Sequence, residues 1–198
     1  MAACAICKID SLDIYLSHFE LPILDGASKI WTETFKNAGI VNPNETKQTI
    51  NDTIKYLNGK TYIIVLPSDT LNVAYSVNFN HKDLKNRWVS LDTKNIEEIA
   101  QARTLGYLKD LEMLQKQGFA RGASLENTLG LTEEGYTSEL KSEYEPIKHK
   151  ILDLIGDFYL AGCNILNLNA SIIAKEAGHT VHTIAAKELK NKLIISED

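Results

Sequence analysis

The order of apolar and polar positions divides the chain into short segments of two different periods. Residues 2–8 are small and apolar, and they read as the end of a helix with neither an N-cap residue nor a polar lead-in. "SLDIYLS" at 11–17 alternates, with Leu12, Ile14 and Leu16 on one side, which predicts a half-buried strand. Pro22 and the Asp25-Gly26 pair then mark a turn. From Ala27 the period becomes helical: Ala27, Ile30, Trp31, Thr34, Phe35 and Ala38 share a face, and Gly39 is the stop.

The stretch 41–58 is polar, contains Pro43 and has few large apolar residues, so it is predicted to be a linker or an exposed edge, with a domain boundary there. "TYIIVLP" at 61–67 and "TLNVAYSVNF" at 70–79 follow as strands, the second with Leu71, Val73, Tyr75, Val77 and Phe79 on one side. "RWVSLD" is a shorter strand, capped by Thr93 or Asn95 into "IEEIAQA". A helix around "YLKDLEMLQKQ" is expected to face Leu108, Leu111 and Leu114 inward and to end at Gly118. Another runs from about Glu145 to Ala161, with Pro146 in its first turn and Gly162 at its end. "LNLNASIIAK" alternates as a strand, and "GHTVHTIAAKELKNKL" closes the chain as an amphipathic helix. Short strands interleaved with helices predict an α+β fold in layers.

Composition narrows the function classes. The 198 residues are 44% hydrophobic and 24% charged with a net charge of −5, and no basic patch rises above the background. That argues against a nucleic-acid binder held by phosphate contacts, while a small anionic substrate needs only a few local cations. No apolar run approaches the ~20 residues of a membrane span, and the first ten residues lack the basic lead of a signal peptide. Three cysteines without such a signal predict a reducing compartment, the cytoplasm. Cys4 and Cys7 form a C-x-x-C pair, which without a second pair reads as two small apolar residues on a buried helix face.

The candidate chemistry sits in "HKILDLIGD", residues 149–157. On a helix, Ile147, Ile151, Leu154, Ile155 and Phe158 form one stripe, while His149, Asp153 and Asp157 cluster within about 80° on the opposite side. An imidazole and a carboxylate one turn apart bring their Cβ atoms within ~6 Å, close enough to share an ion. Neutral imidazole plus carboxylate suits catalytic zinc, with Asp157 orienting a neighbour. A solvated face or a simple His–Asp pair has the same spacing, so spacing alone leaves both open. His179 in "EAGH" lies at a strand-to-helix turn, and Thr104 in "ARTLGY" lies near a helix end, where each is either a cap or a functional group.

Six segments taken together resemble one family: "PILDGAS" at 22–28, "NFNH" at 78–81, "ARTLGYLKDLEMLQKQG" at 102–118, "GASLEN" at 122–127, "HKILDLIGDFYLAG" at 149–162 and "AGH" at 177–179. The family is UDP-3-O-acyl-N-acetylglucosamine deacetylase, the zinc amidase of lipid A biosynthesis. The resemblance implies a two-layer α/β sandwich domain at 59–198, a linker at 41–58 and the C-terminal remnant of a similar first domain at 1–40. It implies zinc held by His149 and Asp153, and attack of a zinc-activated water on the acetamide of the substrate. Asp157 would support His179, the general acid toward the leaving amine, and Thr104 would steady the oxyanion. Lys150 would meet the substrate diphosphate, Phe79 would pack on the uridine, and the segment around Leu108, Leu111 and Ala120 would line the acyl passage. The partner implied is a small molecule, an acylated UDP-amino sugar, bound by a monomer. Leu105 departs from the Phe that commonly follows A-R-T, and "HTVHT" departs from the usual polar run after G-H.

In this family the third zinc ligand is a His directly preceded by the general-base Glu, and the register puts that pair just upstream of Met1. Neither His18 nor His81 stands in for it, since both match other positions. Two expectations follow from the resemblance: an N-terminally truncated active deacetylase, or a shortened non-catalytic homologue that still binds acyl-UDP-sugar.

Overall fold

The β-branched runs pair into a sheet and the helical periods stack over one of its faces in the computed structural model, which describes residues 1–17, 21–41, 43, 46–118 and 120–196. In chain order the elements are α1 (Ala2–Ile6), α2 (Lys29–Ala38), β1 (Lys47–Thr49), β2 (Ile54–Asn58), β3 (Thr61–Pro67), β4 (Asn72–Val77) and β5 (Arg87–Asp92). A 3-10 turn at Thr93–Asn95 leads into α3 (Ile96–Ala100), β6 (Leu105–Tyr107), α4 (Leu108–Lys116) and β7 (Leu129–Leu131). Then come α5 (Glu145–Leu160), a second 3-10 turn at Ile165–Asn167, β8 (Leu168–Lys175), α6 (His179–Lys190) and β9 (Ile194–Ser196).

β8 is the middle of the sheet. It runs antiparallel to β3 on one side, with Ile172 opposite Val65, and parallel to β4 on the other, with Ile172 beside Val73. β2 extends the β3 side and β5 the β4 side, both antiparallel. The burial of β8 alternates strictly, so Leu168, Ala170, Ile172 and Ala174 point one way. That face, with Ile63, Val65, Val73 and Tyr75, meets the stripe of α5 formed by Ile147, Ile151, Leu154, Ile155 and Phe158 in one hydrophobic core. The result is a layered α+β arrangement, as expected from the residue pattern.

Three local expectations differ from the structure. The 41–58 interval, expected as a linker or an exposed edge, contains β1 and the edge strand β2. β1 pairs with the start of β8 and with β9, and Ile50 and Ile54 reach the core. Ladder bonds are made by backbone, so a polar edge strand needs only one or two apolar anchors. Residues 11–17, expected as a strand, form none, and Leu12, Ile14 and Leu16 stay about half exposed. On α4, Leu108 and Leu114 are exposed rather than inward and Leu111 is half-buried. α4 only bridges the parallel pair β6 and β7, and two three-residue strands cannot cover a helix face.

α1 lies against α5 where Gly156 leaves room for it; a Cβ there would stand 3.1 Å from the Ala2 nitrogen. Cys4, Cys7 and Cys163 are buried free thiols, and burial pushes all three up from the ordinary cysteine range. No described helix is long and apolar enough to cross a membrane.

Phe158 is fully buried in this core, so Phe158→Ala is expected to cost about 3–5 kcal/mol in denaturant unfolding. Leu160→Ala, two residues on but 66% exposed, is expected to stay within about 0.5 kcal/mol of the parent.

Candidate active site

The start of α5 is fixed by a buried ion pair. Glu145 is fully buried, and its Oε1 accepts from the Arg103 Nε at 2.8 Å and from the Arg103 backbone N–H at 3.0 Å. Its Oε2 accepts from Arg103 Nη2 at 3.0 Å and from the Lys141 backbone N–H at 2.7 Å. The rest of the guanidinium donates to Ser138 Oγ and to the Glu139 carbonyl. Burial favours the neutral carboxyl of Glu145, but the hydrogen bonds and charge of Arg103, with the two backbone donors, hold it below the ordinary glutamate range.

The same segment is tied down on its other side. The Thr104 N–H donates to the Gly26 carbonyl at 2.6 Å, and the Thr104 carbonyl accepts from Leu129 N–H at 2.8 Å. Gly26 is required there twice over. Its φ is +72°, and a Cβ would fall 1.9 Å from the Asn127 carbonyl oxygen. Residues 102–104 therefore arrive beside α5 as a rigid strap.

That strap orients His149. Its Nδ1 lies 2.9 Å from the Ala102 carbonyl, which can only accept, so Nδ1 carries the proton. The lone pair of Nε2 then faces Asp153 Oδ1 at 3.3 Å, with both side chains largely buried. Two acceptors at that separation fit a proton or a cation between them, and imidazole plus carboxylate is a donor set that zinc accepts. Asp153 Oδ2 is held by Lys150 Nζ at 2.5 Å. Burial raises the Asp153 pKa, but the charge and hydrogen bond of Lys150 work against it, and the group is held below the usual carboxylate range.

One turn further, Asp157 Oδ2 meets two imidazoles, His179 Nδ1 and His182 Nδ1, each at 2.8 Å. His179 opens α6 and is 70% exposed, whereas His182 is wholly buried and its Nε2 lies 2.9 Å from the Tyr75 hydroxyl. Burial pushes the His182 pKa down, and its hydrogen bond to Asp157 works against that. The ligand atoms of Asp157, His179 and His182 lie within 4.8 Å of one another, as a metal cluster's would. Here, however, they are spent on each other and on Tyr75. His182 was not among the residues picked out by sequence, although its i, i+3 spacing from His179 put both imidazoles on one helix face.

Four of the expected site residues, His149, Asp153, Asp157 and His179, line one cavity of about 640 Å³ walled by Leu12, Trp31 and Phe35. Lys150 and Phe79 share a second groove of about 310 Å³ with Asn78 and Glu176. Leu108 lines a third hollow beside Tyr107 and Asn80. Thr104, Leu111 and Ala120 line none of these three; Ala120 sits in the loop after α4 with φ at 49°. His81 is buried and bonded to the Gly135 carbonyl, and His18 lies outside the described residues.

The LpxC family model, UDP-3-O-acyl N-acetylglycosamine deacetylase, matches residues 1–191. The chain belongs to this family. Among similar proteins, the UDP-3-O-acyl-N-acetylglucosamine deacetylase of Leptospira biflexa is 39% identical over 184 residues, which is 90% of this chain and 60% of that protein. The enzyme of the same name from Ruthia magnifica is 36% identical over 80% of this chain and 55% of its own length. That from Thermosynechococcus vestitus is 30% identical over 98% of this chain and 68% of its own length. The chain thus spans about 60% of the length of the first of these relatives.

The buried pair sets two expectations. Arg103→Ala leaves a buried carboxylate unpaired and is expected to cost about 3–5 kcal/mol in denaturant unfolding. Because the Glu145 pKa is lowered on folding, its stabilisation is complete above the ordinary value of 4.5 and is lost as pH falls through the lower folded value. Stability measured against pH is therefore expected to fall below 4.5 in the parent, and to fall less steeply in Glu145→Gln.

Proposed function

We propose that the chain carries the zinc-binding and proton-donating half of a deacetylase acting on UDP-3-O-acyl-N-acetylglucosamine in lipid A biosynthesis, in the cytoplasm and as a monomer. The family match over residues 1–191 supports the substrate and reaction. The observation that carries the chemistry is the His149 Nε2 facing Asp153 Oδ1 at 3.3 Å, with the opposite imidazole nitrogen committed to the Ala102 carbonyl.

His149 and Asp153 would hold the zinc ion. When bound, zinc supplies Lewis-acid polarisation of a carbonyl and of water. The protein's own groups do the rest. Asp157 accepts a hydrogen bond from the Nδ1–H of His179, which leaves Nε2 turned outward to hold a proton for the departing amine. Thr104, fixed through its backbone by Gly26, which does line the cavity, and by Leu129, would be the hydroxyl that steadies the developing oxyanion. Lys150 and Phe79, which line one groove, would meet the diphosphate and the uridine. The exposed leucines of α4, with Leu111 and Ala120, offer apolar surface to the 3-O-acyl chain.

A second reading is favoured by one observation. Among the described residues, no third His, Cys or carboxylate joins His149 and Asp153 in a ligand cluster, whereas catalytic zinc takes three protein ligands. In that reading the chain binds the acyl-UDP-sugar without hydrolysing it.

Incubating the purified chain with zinc and the acylated UDP-sugar, and measuring free amine, separates the two. The deacetylase reading expects amine release when the Glu-His pair implied by the family resemblance is supplied on an N-terminal extension of the chain, abolished in Asp153→Ala and reduced by roughly 10²–10⁴ in His179→Ala. Calorimetric binding of the sugar without amine establishes the second reading, and neither binding nor turnover sinks both.

A further inference from the structure

Tyr75 and His182 lie beneath the site and have no part in the reaction assigned to it. Tyr75 stands in the middle of β4, fully buried, with its hydroxyl 2.6 Å from the Ala177 carbonyl and 2.9 Å from His182 Nε2. The two rings meet edge to face at 5.9 Å. A carbonyl has no proton to give, so the single phenol proton goes to Ala177 and the phenol oxygen accepts from His182 Nε2–H; because Nδ1 also donates to the Asp157 carboxylate, the geometry is that of a His182 imidazolium paired with Asp157. The other edge of His182 reaches Asp157 Oδ2, the oxygen that also meets His179.

These bonds form a closed circuit. From the Ala177 carbonyl it runs through Tyr75, His182 and Asp157 to His179, and Gly178 returns the chain to Ala177. The circuit matters because little else holds His179. Ala177 is buried in the core, but the His179 ring itself is 70% exposed, and the Asp157 carboxylate is what its Nδ1 meets. A carboxylate on an alkyl stem has two equivalent oxygens and free rotation unless a second donor fixes it. His182 is that second donor, and Tyr75 fixes His182.

We propose that Tyr75 and His182 are positioning residues that lock the Asp157 carboxylate and the 177–179 turn. They thereby hold His179 as its Nδ1–H tautomer with Nε2 facing the cavity. This rests on the reading of His179 as the proton donor to the amine. The residues act through hydrogen bonds alone and touch no substrate. Tyr75→Phe removes the tether to Ala177 and the acceptor for His182. His182→Leu removes the second donor on Asp157. His182→Asn keeps it, because an asparagine amide N–H falls close to where the imidazole Nδ1–H stood.

The test is long-range proton–nitrogen NMR of the imidazoles in the full ¹⁵N-labelled chain, without metal or substrate, at a pH where His179 is neutral. The parent and His182→Asn are expected to show His179 protonated at Nδ1. In His182→Leu the ratio of that tautomer to the Nε2–H form is expected to fall by roughly tenfold or more, the effect of one oriented hydrogen bond to a charged group. Tyr75→Phe is expected to shift the same ratio in the same direction and to move the His182 Nε2 signal. An unchanged His179 pattern in folded His182→Leu overturns the proposal. If that variant does not fold, an unchanged pattern in Tyr75→Phe overturns it equally. A chain that shows the tautomer shift but never deacetylates defeats the functional reading and leaves the clamp standing. An active chain with His179 indifferent to both substitutions does the reverse.

Discussion

The buried pair of Arg103 and Glu145 is the constraint on which the site depends. Taking two charges out of water is expensive, and the cost is offset only where the oxygens and N–H groups find partners. Both carboxylate oxygens and four of the five guanidinium N–H bonds have partners: Glu145 accepts from two guanidinium nitrogens and two backbone amides, and Arg103 donates to Ser138 and the Glu139 carbonyl as well. The pair fastens the 102–104 strap to the first turn of α5. Because the Ala102 carbonyl sits on that strap, the same bond that anchors the helix also selects the His149 tautomer.

From there α5 divides its work by turns. His149, Asp153 and Asp157 stand on successive turns, and each is oriented by a different neighbour: a backbone carbonyl, the Lys150 ammonium, and a pair of imidazoles. The opposite side of the helix, from Ile147 to Phe158, is locked into the core against β4 and β8, so these groups are carried on a rigid element. The first two form an ion-accepting pair. The third belongs to a hydrogen-bonded circuit that reaches through His182 and Tyr75 into the sheet. An acceptor pair and a hydrogen-bonded Asp–His circuit thus lie side by side on one helix.

What could be read from sequence was whatever is periodic and local. The stripe of α5, the alternation of β8 and β4, and the polar triad at 149, 153 and 157 follow from residue spacing, and His179 was marked by its glycine turn. Interactions between distant positions were not legible. Arg103 and Glu145 are 42 residues apart, and neither carries a local sign of burial. His182 looked like one more polar residue on a surface helix, because only the arrival of Tyr75 from a strand 107 residues earlier makes a buried imidazole affordable. β1 and β2 were hidden because their ladder is backbone-made, and 11–17 alternates without a partner strand to pair with.

Zinc titration of the ¹⁵N-labelled chain, followed at each imidazole, tests this division most directly. The account predicts that His149 begins with a bare Nε2 and that its signal moves first on adding zinc, while the His182 signals and its bond to Asp157 persist. An Nε2–H tautomer at His149, or zinc moving His179 and His182 before His149, would contradict it.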